Sequence, residues 1–208
     1  MTKRFGFTLA EVLITLAIIG VVAALTMPTL INNTSGAQFK TAFKKAMSVL
    51  SQAVVMNIAL EDYDFSMSTS GTNSSLYNLF TQRATLQQLT SNENYSVYIG
   101  TSTAANATAT GAYSASNYTF RFNDGIIFSF PTASNTAGCT EESPCKGWID
   151  VNGAKGPNKT VICSSVSDSG SCKTDVTVND IFPIKFYDQT VAPNSAPARD
   201  VLYGAEKK

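Results

Sequence analysis

FTLAEVLITLAIIGVVAALTMPTLI, residues 7–31, is an apolar run that carries one charge, Glu11. From Val12 to Phe39 no charged side chain occurs, so the run exceeds the ~20 residues with which a helix crosses the ~30 Å hydrocarbon core of a bilayer. Lys3 and Arg4 lie just before it, and a short basic flank holds that end on the cytoplasmic side. Residues 7–31 are therefore expected to span the cytoplasmic membrane once, with everything beyond Ile31 outside.

An ordinary secretory signal has an apolar core of about 7–15 residues followed by a small-residue cleavage site. Here the core is too long, a carboxylate sits near its start, and the small-residue junction Gly6-Phe7 precedes it. Cleavage there would remove the basic leader and keep the membrane helix. In Gly6-Phe7-Thr8-Leu9-Ala10-Glu11, with Gly20 and Pro28 downstream, the segment resembles the class III signal of type IV pilins and type II secretion pseudopilins. Counted from Phe7, Glu11 is the fifth residue and Pro28 the twenty-second, as in that family; Ala10 departs from its common isoleucine. The resemblance covers about the first thirty residues. It implies an aspartyl prepilin peptidase that cuts after Gly6 and methylates the amine of Phe7. It also implies further pilin-like subunits as partners, with an inner-membrane assembly platform and ATPase that extrude the chain into a surface or periplasmic filament.

The physics of Glu11 leads the same way. A carboxylate inside a membrane costs a few kcal/mol even on lenient insertion scales and usually has a partner. The amine created at Phe7 lies four residues away on the same helical face. In a bundle, Glu11 of one subunit meets the Phe7 amine of the next, and neutralisation sets the register of assembly. The competing reading is a carboxylate that snorkels to the interface.

After the membrane segment Phe39, Phe43, Met47, Leu50, Val54 and Ile58 recur at helical spacing, with Lys40, Lys44 and Ser51 between them, the pattern of an amphipathic helix. One helix from residue 7 to about 61 would measure roughly 80 Å at ~1.5 Å per residue. Pro28 and the Asn32-Asn33-Thr34-Ser35-Gly36 patch are points at which it could bend or divide in two.

Residues 62–208 have the length of one compact domain and the texture of a sheet. Tyr118–Phe122 alternates, Asn123-Asp124-Gly125 offers turn chemistry and Ile126–Phe130 returns, a hairpin signal. Tyr95–Ile99, Trp148–Val151, Thr160–Cys163 and Phe182–Tyr187 are further strand candidates, and residues 75–89 read as a short helix. Residues 66–75 and 101–117 are poor in core formers and read as exposed loops. The expected architecture is α+β: a 1–6 leader, a long helix over 7–61, and an antiparallel sheet head packed on the amphipathic half of that helix.

Fifteen basic residues balance fifteen acidic ones, and loss of Lys3 and Arg4 leaves thirteen against fifteen. Such a balance carries no nucleic-acid footprint. Cys139, Cys145, Cys163 and Cys172 fall in the part placed outside the membrane, where disulfides persist. Three pairings exist. The local one, Cys139 with Cys145 and Cys163 with Cys172, is preferred because each pair brackets a polar segment and would staple a surface loop.

Asp150, Asn152 and Asn158, with Asp180 as a distant partner, have the oxygen donors and alternate spacing that calcium takes. Only two carboxylates are on offer, however, and no bidentate glutamate follows. A strand that ends in an Asn-Gly turn is the favoured reading, and no other cofactor is expected. Without histidine, neither a Ser-His-Asp nor a Cys-His catalytic arrangement can form, and no phosphate loop or dinucleotide fingerprint occurs. The chain reads as a structural, non-enzymatic subunit. The alternative is a membrane-anchored binding or hydrolytic domain that does not polymerise.

Overall fold

The computed structural model describes residues 6–61, 65–67, 87–89, 117–131, 138–153, 155–166, 172–173 and 175–204. Contacts divide the chain into two compact units, Met1–Gln38 and Phe39–Lys208. Helix α1, Leu9–Glu61, has helical backbone throughout, so neither Pro28 nor the 32–36 patch interrupts it. Proline removes one rung of the hydrogen-bond ladder and leaves those on either side. The propensity cost of Gly36 and its polar neighbours, under about 1 kcal/mol each, is small beside the cooperativity of a helix already nucleated.

In the second unit α1 supplies one wall of the core. Phe43, Met47, Leu50 and Val54 are buried, Ala46 and Ala53 fill the gaps between them, and Phe39 and Ile58 pack at the ends of the stripe. The opposite wall is a six-stranded antiparallel sheet in sequential order: β1 Gln87–Leu89, β2 Asn117–Arg121, β3 Ile127–Pro131, β4 Cys145–Asp150, β5 Ile181–Tyr187 and β6 Thr190–Pro193. Its core face presents Phe120, Phe128, Phe130, Phe182, Ile184 and Phe186. Phe43 stacks on Phe182 with ring centroids 4.1 Å apart and planes 9° from parallel. Burial of several aromatic rings of 150–250 Å² each makes this contact the main source of cohesion in the head.

The β2–β3 hairpin pairs Phe120 with Phe128 and Arg121 with Ile127. Its Asn123-Asp124-Gly125 loop closes with the Gly125 amide donating to the Phe122 carbonyl and the Phe122 amide to that of Ile126. This is a three-residue turn with a bulge, and its last position has φ 91°, which glycine adopts without steric cost. Lys45 on α1 reaches Asp124 in that turn at 2.7 Å.

Several expectations need correction. Residues 87–89, the end of the anticipated short helix, form β1, because they complete the open edge of β2 and its ladder outweighs a local helical pattern. Residues 75–86, the strand candidate Tyr95–Ile99 and residues 68–75 and 101–116 of the anticipated loops lie outside the described residues. Thr160–Cys163 is no strand: Thr160 bridges Ile181 and Ile162 bridges Thr177. Strand β6 takes the second edge of β5 from Ile184 onward, which leaves only the Ile181 end for residues 160–162.

Helix α2, Ala196–Tyr203, was not anticipated. Ser195 caps it, its hydroxyl accepting from the Ala198 amide, and Pro197 sits in the first turn. These are standard start signals in a helix too short to show much periodicity.

The cysteines pair locally, Cys139 with Cys145 and Cys163 with Cys172. They do not staple loose surface loops: Cys139, Cys145 and Cys163 are all buried. The first bridge lies in the core because of three main-chain bonds. Phe65 donates to Asp188, Asp188 to Cys139 and Cys139 to Phe65, each at 2.8 Å. The short 3-10 turn Phe65–Met67 is thereby tied to the β5–β6 turn and to the disulfide, with the Phe65 ring edge-on to Phe186.

Candidate functional site: the N-terminal segment and the acidic turn

Gly6, Phe7 and Thr8 precede α1 and are exposed. Among the described residues, a Cβ added at Gly6 would meet nothing within 4 Å. Leu9–Met27 is long and apolar enough to cross a membrane, and none of it is buried. Its large apolar side chains are exposed, as is the Glu11 carboxylate.

The described partners of the Glu11 carboxylate lie one turn back. Glu11 Oε2 accepts from the Thr8 amide at 2.8 Å and from the Thr8 hydroxyl at 2.9 Å, while Thr8 Oγ1 accepts the Glu11 amide at 3.3 Å. This reciprocal pair is a capping box, which satisfies amides that a helix start leaves unpaired. The Thr8-x-x-Glu11 spacing is that motif's own signature in the sequence, a role for Glu11 beside its charge. Phe7, Glu11, Val12 and Thr15 line a shallow groove on this face. The Thr15 hydroxyl bonds back to the carbonyls of Glu11 and Val12. Glu11 thus has a role within its own helix and still borders a groove open to a second molecule.

In the head, the four residues weighed for calcium do come together. Pairing of Asp150 with Ile181 across β4 and β5 brings the β4 exit beside Asp180, and the Val151 amide donates to the Asp180 carbonyl at 3.0 Å. Asp150 Oδ1 accepts the amides of Asn152 and Gly153, both at 2.9 Å. Asp180 accepts Asn158 N at Oδ2 and Lys159 N at Oδ1, both at 2.8 Å. Asp180 is fully buried; burial raises its carboxyl above the ordinary aspartate range, and the amides of Lys159 and Asn158 oppose that shift. Asn152 Nδ2 donates to the carbonyls of Lys155 and Gly156, both at 2.7 Å.

These groups do not fit calcium, which takes six to eight oxygens. The carboxylates are engaged by main-chain amides, and the loop carbonyls already face side-chain nitrogens. Among the described residues no cluster of three or more histidine, cysteine, aspartate or glutamate side chains could hold a metal ion.

Residues 1–27 match the family model described as the prokaryotic N-terminal methylation motif, the prepilin-type signal of type IV pilins and pseudopilins. The head has the α+β arrangement of a helix against an antiparallel sheet that such subunits share. No curated protein and no solved structure matches the chain.

Proposed function

We propose that the protein is a structural subunit of a type IV pilus or a type II secretion pseudopilus, cleaved after Gly6, N-methylated at Phe7 and polymerised through its N-terminal helix. One observation carries the reading: the methylation motif of residues 1–27 coincides with an apolar helix, Leu9–Met27, that is unburied along its length and carries a carboxylate at Glu11. An exposed Gly6-Phe7 junction just ahead of the helix suits a peptidase, and a glycine with no described neighbour within 4 Å of its Cβ position is explained by recognition better than by packing. The processing enzyme is then a prepilin peptidase, and the remaining partners are other pilin-like subunits, an inner-membrane platform and its ATPase.

The groove beside Glu11 accommodates the Phe7 amine of a neighbouring subunit. The capping box keeps the carboxylate paired until that amine arrives, which lowers the cost of holding it in lipid. The head stands outside the cytoplasmic membrane, and the two disulfides suit that compartment.

The test is Glu11→Val in the native host. Mass spectrometry should find the variant cleaved and N-methylated at Phe7, whereas electron microscopy of sheared filaments should find it absent. Normal incorporation of the variant would remove the proposed role of Glu11. A wild-type chain that stays monodisperse in the membrane and never enters a filament would remove the polymerisation itself.

A further inference from the structure

We propose that residues 150–153 and 155–158 belong to a loop closed without metal, in which the side-chain amide nitrogens of Asn152 and Asn158 stand where a calcium loop would hold its cation. The inference rests on the head alone and is independent of how the chain assembles.

A cation loop works by turning several oxygens toward one point, so that the positive charge removes their mutual repulsion. Here the oxygens converge in the same manner on nitrogen. The Lys155 and Gly156 carbonyls meet at Asn152 Nδ2, 2.7 Å from each, which engages both of its hydrogens. The Asn158 amide, oriented by its surroundings, directs its nitrogen at the carbonyls of Gly153, 3.1 Å away, and Lys155, 3.2 Å away. Lys155 O is therefore shared by both asparagines.

The carboxylates are neutralised by a second set of donors. Four main-chain amides, those of Asn152, Gly153, Asn158 and Lys159, point at Asp150 and Asp180. The backbone is shaped for this arrangement, with Asn158 at φ 49°, a left-handed conformation that asparagine tolerates better than most residues. A cation in this loop would have to displace amide hydrogens that already satisfy the carbonyls, and it would sit against their positive ends. The two asparagines thus do the work of the ion at no dependence on its concentration.

Thermal melting of the full-length, detergent-solubilised protein with excess calcium chloride and with EDTA tests this. The wild type should melt at one temperature in both. Asn152→Ala should melt about 2–4 °C lower in both conditions, as loss of its two side-chain hydrogen bonds predicts for a chain of this size. Asn152→Asp, which replaces the donor by an acceptor at the Lys155 and Gly156 carbonyls and adds a third carboxylate to the loop, should be destabilised in EDTA and regain most of its melting temperature with calcium but not with sodium chloride of equal ionic strength. A drop in the wild-type melting temperature on chelation would overturn the proposal. So would an Asn152→Ala protein as stable as wild type, or an Asn152→Asp protein that folds and ignores calcium; if Asn152→Asp does not fold, the other two measurements decide.

Discussion

Glu11 shows how much one residue's meaning depends on what surrounds it. As a charge in an apolar run it calls for a partner; within its own helix it has one, Thr8, and that pairing leaves the carboxylate on the border of a groove. Asp180 is the counterpart in the head, a buried carboxylate held by amides. Asp180→Asn places a side-chain N–H against one of those amides and should cost about 1–3 kcal/mol, measured by denaturant unfolding. Because burial raises the wild-type carboxyl above its ordinary value of 3.8, the folded state binds that proton more tightly than the unfolded one. The Asp180 contribution therefore grows as pH falls through the raised pKa toward 3.8 and is lost as pH rises again. The gap between wild type and Asp180→Asn should widen on mild acidification, and a gap that narrows would show that Asp180 is not held as described. Gly153 gives a steric prediction: at φ 64°, a Cβ there would lie 2.8 Å from the Gly125 carbonyl oxygen. Gly153→Ala should destabilise by about 1–3 kcal/mol while Gly156→Ala, with nothing within 4 Å, should cost far less.

Among the elements, the apolar stripe of α1 faces the aromatic row of the sheet across the core. Phe43→Ala removes the ring stacked on Phe182 and should cost about 3–5 kcal/mol, against less than about 1.5 kcal/mol for a well-accommodated Phe43→Leu. Chemical denaturation midpoints at unchanged m-value would check both. The two disulfides belong to different environments. Cys139 and Cys145 are both buried, whereas Cys172 is partly exposed. Under graded reduction and alkylation, Cys163 and Cys172 should be labelled first, with Cys139 and Cys145 protected until the head unfolds; the reverse order would contradict the burial. Sequence patterning located the elements with strong local signals. The stripe Phe39 to Ile58 and the Tyr118–Phe130 hairpin announce themselves by period and turn residues. Strand β1 at Gln87–Leu89 and helix α2 at Ala196–Tyr203 do not, since three residues show no alternation and an eight-residue helix is held by Ser195 and by its buried face more than by propensity.

At the scale of the whole molecule, the chain joins an unburied apolar helix to a head with its own core. The first part exposes its apolar side chains, whereas the second buries an apolar core. Mutations should separate accordingly. Glu11→Val should leave the denaturation midpoint of the head unchanged while filament incorporation fails, and Phe43→Ala should do the reverse at the level of folding before any effect on assembly is seen. Limited proteolysis of membranes together with imaging of sheared fibres would read both outcomes in one preparation.

The N-terminal methylation motif of residues 1–27 was legible from residues alone, because such a motif is one contiguous stretch of the chain. The α+β class was legible as well, since the periods of helix and strand are local properties. The identity of the loop at residues 150–158 was not. Its residue types favour a strand that ends in an Asn-Gly turn over a calcium loop, but they do not say which atoms of Asn152 and Asn158 face the carbonyls of Gly153, Lys155 and Gly156. That orientation exists only once β4 and β5 pair and bring Asp180 beside Asp150, twenty-odd residues of chain having been folded back between them. Burial of the cysteines was decided in the same way, by the main-chain contacts among Phe65, Cys139 and Asp188, which no spacing along the chain could reveal.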